Sequence, residues 1–150
     1  MRISAKKLWS DGVWLSDRTV VIKDGIITGI TEGLTGDIPT DYLTPGLIDN
    51  HIHGGDGISV IDADADEICG WLVKLAESGV CGVVASPYGK IDEIHGTLSV
   101  LREVKRRQDK GEAGGAILLG AHLEGPFISP DRPGSFKPET IEKPSVDSLL

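Results

Sequence analysis

The chain has 150 residues and a formal net charge of −8, with 23 acidic against 15 basic side chains. That balance argues against a broad nucleic-acid or anionic-membrane surface, since both recruit clustered Lys and Arg. With 39% apolar residues a packed core is within reach, and with no signal-peptide-like or membrane-length apolar run the sequence reads as soluble and cytoplasmic.

The first forty residues predict a small β unit. Strands are expected at Arg2–Leu8 and Thr19–Ile22, with a turn at Ser10-Asp11-Gly12 between them. Asp24-Gly25 is a two-residue hairpin signal, because both residue types accept positive φ, and Ile26–Ile30 pairs back. Gly33–Asp41, rich in Gly, Thr, Asp and Pro, reads as a linker, and Pro45-Gly46 as a turn. The expected organisation is a small β domain over residues 1–44 and a second domain over residues 45–150.

From Leu47 the pattern becomes strand, helix, strand, helix, strand. Leu47–His53 is the first strand. A helix follows from about Ala65 to Ser78, with Asp64 as cap and Ile68, Trp71, Leu72, Leu75 and Ala76 at helical spacing. Val80–Ala85 is a near-continuous apolar run, as in strands covered on both faces of a parallel sheet. A second helix is expected over Asp92–Asp109, its inner stripe at Ile94, Leu98, Leu101 and Val104 or Lys105. Its last turn holds Lys105-Arg106-Arg107, cations that suit the negative end of the helix dipole. Ala116–Leu123 is the third strand. Gly125–Leu150 holds five of the eight prolines and reads as mostly loop. Cys69 and Cys81 lack CxxC spacing and read as small buried apolar residues of a reducing compartment.

Such alternation means a parallel sheet with right-handed crossovers, which an open doubly wound sheet and an eight-stranded barrel both satisfy. A barrel takes about 250 residues. At roughly 30 residues per strand–helix unit, the stretch after Pro45 holds about three units. In a barrel architecture this is the opening third.

Chemistry concentrates at strand ends. In LIDNHIHGGDG, His51 and His53 are two apart on a strand and so share a face, about 6.5–7 Å apart along the backbone. Two imidazoles so placed can lean onto one zinc or iron(II) ion, with Asp49 one step deeper as support. A half-exposed strand with solvated histidines shows the same spacing. In LLGAHLEGPF, His122 and Glu124 share a face, and Glu124 stands at the carboxyl end of the third strand, where sites of parallel α/β folds gather. A carboxylate there can bind one metal or bridge two; a loop salt bridge is the alternative. His122 reads as a supporting residue and His95 as a solvated mid-helix one. Gly54-Gly55-Asp56-Gly57 either admits a substrate close to the backbone or is a plain tight turn. No P-loop, GxSxG elbow or dinucleotide fingerprint is present.

PGLIDNHIHGG, from Pro45 to Gly55, resembles the first barrel strand of the amidohydrolase superfamily. HLEGPFISPDRPGSFKPE, from His122 to Glu139, resembles the signature of its N-acetylglucosamine-6-phosphate deacetylase branch. The resemblance covers essentially the whole chain. It implies a small β-sandwich domain joined to a (β/α)8 barrel, of which this chain would hold the first three units, and a homodimer when complete. It implies hydrolysis of the N-acetyl group of N-acetylglucosamine 6-phosphate to glucosamine 6-phosphate and acetate, with one or two divalent ions, zinc or iron, as cofactor. By position, Glu124 would be the central metal ligand. His51 and His53 would hold a second metal, as in the binuclear members, and Ser135 would touch the sugar. The catalytic acid (an aspartate) and two further histidine ligands would lie beyond residue 150, so the chain alone is expected to be inactive. Gly82–Tyr88 departs from the family, which often has a Thr-containing strand ending in Pro-Thr. Arg132 is the only arginine near the expected rim. Competing readings are an N-acetylgalactosamine-6-phosphate or cyclic-amide hydrolase of the same superfamily, or an inactive fragment that binds metal.

Overall fold

The computed structural model describes residues 1–147; the last three residues of the expected terminal loop lie outside them. The chain divides into two compact units, residues 1–45 and residues 46–150.

The first unit is a four-stranded sheet. Strands β1 (Arg2–Ser10), β2 (Val13–Lys23), β3 (Ile26–Glu32) and β4 (Ile38–Leu43) lie in the order β3-β2-β1-β4. Asp11-Gly12 and Asp24-Gly25 have φ of 51° and 80°, and 52° and 78°. These positive angles let two-residue turns follow the strand twist, so β1, β2 and β3 run antiparallel. Ala5, Leu8 and Val20 form its buried core.

Strand β4 corrects the expected linker, for it falls where Pro39 and Asp41 depress β propensity. It pairs in parallel with β1 alone, so it is an edge strand of this sheet, where a proline is tolerated. Buried hydroxyls of the neighbouring strands steer the chain there. Thr19 Oγ1 donates to the Gly33 carbonyl at 2.7 Å and accepts from Thr35 N–H at 2.9 Å, while Ser4 Oγ accepts from Gly36 N–H at 2.5 Å. Thr19→Val keeps the shape but removes every hydrogen bond of the fully buried hydroxyl, including the one it shares with Ser4 Oγ at 3.1 Å, so we expect a stability loss of about 1–3 kcal/mol, read by denaturant unfolding.

The second unit is mixed α/β. Strand β5 (Leu47–Ile52) is followed by a two-strand ribbon, β6 (Gly54–Gly55) with β7 (Ile58–Ser59). Helix α1 (Ala65–Glu77), β8 (Val80–Ala85), helix α2 (Ile91–Asp109) and β9 (Ile117–Ala121) follow. β5, β8 and β9 form a parallel sheet in the order β5-β8-β9. The ribbon turns at Asp56-Gly57, φ 53° and 83°, so the glycine-rich stretch after His53 is a tight turn.

Helix α1 starts where Asp64 accepts from Asp66 and Glu67 N–H, both at 2.9 Å, while Glu67 accepts from Asp64 N–H at 2.9 Å. Ile68, Trp71 and Leu72 of α1, with Leu101 and Val104 of α2, are buried together with Val83, Ala85 and Leu118 of the sheet. The α1 stripe is narrower than expected: Leu75 is half-buried and Ala76 exposed. On α2, Thr97 is buried and Leu98 is only half-buried. The chain from residue 125 is loop apart from a 3₁₀ turn at Pro138–Thr140. Cys81 is exposed and Cys69 only half-buried, contrary to expectation; both cysteines are free. Among the described residues no helix is long and apolar enough to cross a membrane.

The basic cluster of α2 is a salt-bridge network. Arg106 and Arg107 both donate to Glu103, and Arg107 also reaches Asp66 of α1. Hydrogen bonds from Arg106 and then Arg107 pull the Glu103 carboxyl down to about 2 from its ordinary 4.5. A depressed acid stabilises the fold above its unfolded value and loses that contribution as pH falls toward the folded one. The stability gap between wild type and Glu103→Gln should therefore be steady above pH 4.5 and close toward pH 2, measured by acid titration of the helix signal. The site is at the surface, so the gap itself will be small.

Candidate metal centre

Three elements of the second unit bring one cluster together. β5 ends at Ile52 and delivers His51 and His53 at the carboxyl end of the sheet. β9 ends at Ala121, earlier than the expected Leu123, yet the chain keeps its course along the segment that follows β8. His122 N–H donates to the Ala85 carbonyl at 2.9 Å and Glu124 N–H to the Pro87 carbonyl at 3.0 Å, with a parallel bridge between Tyr88 and Glu124. Glu124 thus reaches the same rim as the histidines.

Glu124 Oε2 lies 3.0 Å from His51 Nε2 and 3.0 Å from His53 Nε2, and the two Nε2 atoms are 3.3 Å apart. In a tetrahedral site with ligands at about 2.0–2.1 Å, neighbouring ligand atoms stand about 3.3 Å apart, so the triangle suits one ion in contact with all three. The tautomer agrees. His53 Nδ1 is 2.6 Å from the Ser86 carbonyl, which can only accept, so Nδ1 carries the proton. In the neutral ring Nε2 then presents a lone pair toward a carboxylate oxygen. Two acceptors face each other at 3.0 Å, an arrangement that a cation between them would satisfy. Histidine and carboxylate donors suit zinc and iron alike.

Asp49 does not support the histidines from behind, as its spacing suggested. The pairing of β5 with β8 shifts register between Asp49 and Ile52, which face Val83 and Ala85, so simple alternation fails there. Asp49 Oδ1 instead accepts from the His51 backbone N–H at 3.1 Å. His122 is exposed and packs its ring on that of His51, centroids 5.1 Å apart. His95 is exposed on α2.

A cavity of about 580 Å³ opens beside the cluster, lined among others by His53, Glu124, Tyr88, Ser135, Phe136 and Lys137. Ser135 therefore stands where a ligand in the cavity could meet it; Arg132 is not among the lining residues. Tyr88 packs edge-on against His53 at 5.0 Å and against Phe136 at 6.4 Å, so an aromatic wall runs from the cluster to the loop after Glu124. The sequence marks Tyr88 only as a departure, and Phe136 and Lys137 carry no spacing signal because they sit in aperiodic chain.

No family model matches the chain. Among curated relatives, N-acetylgalactosamine-6-phosphate deacetylase of Escherichia coli O157:H7 is 30% identical over 98% of this chain. N-acetylglucosamine-6-phosphate deacetylase of Bacillus subtilis is 34% identical over 85% of it. The crystal structure of N-acetylglucosamine-6-phosphate deacetylase from Thermotoga maritima superposes with a TM-score of 0.79 over 99% of this chain and 39% of that one, at 26% identity. The chain is similar, over nearly its whole length, to deacetylases of acetylated amino-sugar phosphates. The resemblance seen in Pro45–Gly55 and His122–Glu139 thus holds across both units. The chain spans 39% and 36% of the length of the two curated relatives.

Proposed function

We propose that this chain is the opening part of a metal-dependent amidohydrolase that removes the N-acetyl group of N-acetylglucosamine 6-phosphate, giving glucosamine 6-phosphate and acetate. The observation that carries the reading is the convergence of His51, His53 and Glu124 within 3.3 Å at one rim of the parallel sheet. A second observation supports further strands. All-parallel sheets are covered on both faces, yet Ile48 and Leu119, which flank Gly82 on one face, are 63% and 50% exposed. Residues 46–150 would then be the first three units of a (β/α)8 barrel, residues 1–45 part of a small β domain, and the complete protein a cytoplasmic homodimer.

A bound divalent ion, zinc or iron, would supply Lewis-acid polarisation of the amide carbonyl and an acidified water. His51 and His53 would hold it through Nε2 and Glu124 through Oε2. Ser86, by accepting from His53 Nδ1–H, fixes the ring that points its lone pair at the site. Ser135 would contact the sugar from the cavity wall. Proton delivery to the leaving amine falls to residues outside this chain, so residues 1–150 alone should not turn over substrate.

The E. coli relative is named for the galactosamine epimer, which makes the N-acetylgalactosamine-6-phosphate reaction the second reading. Assay of the full-length protein on both acetylated sugar phosphates decides between them. We expect acetate release that a chelator stops and zinc or iron(II) restores. Chelator-resistant turnover, or turnover of neither sugar, would overturn the proposal.

A further inference from the structure

The metal cluster leaves the phosphate of the proposed substrate without a partner. A phosphate monoester carries about −1.5 to −2 charge at neutral pH, and the cavity it would enter is acidic, lined by Asp62, Glu93 and Glu124. One cation lines that cavity among the described residues, Lys137. Its ammonium has no carboxylate within ion-pair distance and no hydrogen-bond partner among the described residues.

The position of Lys137 is built, through its neighbour, onto the metal rim. Gly125, directly after Glu124, has φ +90°, and a Cβ there would stand 3.1 Å from Phe136 Cε1. Glycine thus admits the Phe136 ring against the backbone, and that ring meets Tyr88 edge-to-face at 83°, as Tyr88 meets His53. On the other side the Lys137 carbonyl accepts from Thr140 N–H at 2.9 Å and Thr140 Oγ1 at 2.8 Å. The backbone is held while the long side chain stays free to follow a ligand, as suits a compact ammonium acting on phosphate as a point charge.

We infer that Lys137 binds the phosphate of the substrate and selects phosphorylated amino sugars over free ones, an assignment that rests on the deacetylase reading above. The test uses full-length wild type, Lys137→Ala and Lys137→Arg, each assayed on N-acetylglucosamine 6-phosphate and on unphosphorylated N-acetylglucosamine. A charge-assisted contact of this kind corresponds to about 10–100-fold in binding. The ratio of kcat/KM for the phosphorylated over the free sugar should fall by that factor in Lys137→Ala, through KM, and recover in Lys137→Arg. An unchanged ratio would overturn the assignment. If wild type deacetylates neither sugar, the deacetylase reading fails. Calorimetry with glucosamine 6-phosphate then decides Lys137 separately: binding weakened at least tenfold by Lys137→Ala supports it, and equal affinity overturns it.

Discussion

Glu124→Gln in the full-length protein should lose bound metal and lower turnover by about 10³-fold or more, as removal of several kcal/mol of Lewis-acid stabilisation implies. Glu124 Oε2 is the apex shared by both imidazoles at 3.0 Å, and it is the only anion in the triangle. Glutamine keeps the size of the side chain but offers a neutral amide, so two imidazole nitrogens 3.3 Å apart would face a site with no charge to hold a cation. Metal analysis of the purified variant, beside its rate and its circular dichroism, separates loss of the ion from loss of folding. His122→Ala is the informative contrast. That ring packs on His51 and is not one of the three converging groups, so the variant should keep its metal. Glu124→Gln with full metal content and wild-type rate would exclude Glu124 as a ligand.

The chemistry was legible where a short-range rule placed it. Two histidines two apart on a strand share a face, and a carboxylate at the end of a neighbouring parallel strand reaches the same rim, so the cluster could be read from spacing and strand ends. Helix α1 was legible for similar reasons: Asp64 with Glu67 makes a capping box, and Ile68, Trp71 and Leu72 mark the buried stripe. Asp49 was misplaced because a register shift between β5 and β8 leaves no mark on period-2 alternation. Strand β4 was missed because its reasons are non-local. Pro39 and Asp41 argue against a strand, while the hydroxyls of Thr19 and Ser4 that guide the chain onto β1 sit far back in the sequence. The cavity wall was hidden in the same way, since Tyr88 and Phe136 meet only once the loop after Gly125 folds back on the rim.

That dependence of the site on its support gives the largest stability effect expected, at Trp71. Its side chain is 1% exposed, among the largest fully buried ones, and lies between helix α1, the sheet and the ribbon after His53, where a Cβ on Gly55 would stand 3.3 Å from Trp71 Nε1. Trp71→Ala removes the whole ring from a core that can only partly collapse, which costs about 3–5 kcal/mol. For a domain of 150–250 residues that is a fall of roughly 6–20 °C in Tm, measured calorimetrically. Trp71→Phe should behave quite differently. The indole Nε1 is buried and has no hydrogen-bond partner among the described residues, so it contributes a desolvation cost that phenylalanine does not incur. Phenylalanine keeps most of the aromatic volume, and its penalty should be well below that of alanine. If the two variants lose the same stability, the indole nitrogen is satisfied in solution, by a bound water or a shifted ribbon, and packing volume alone does not set the cost at this position.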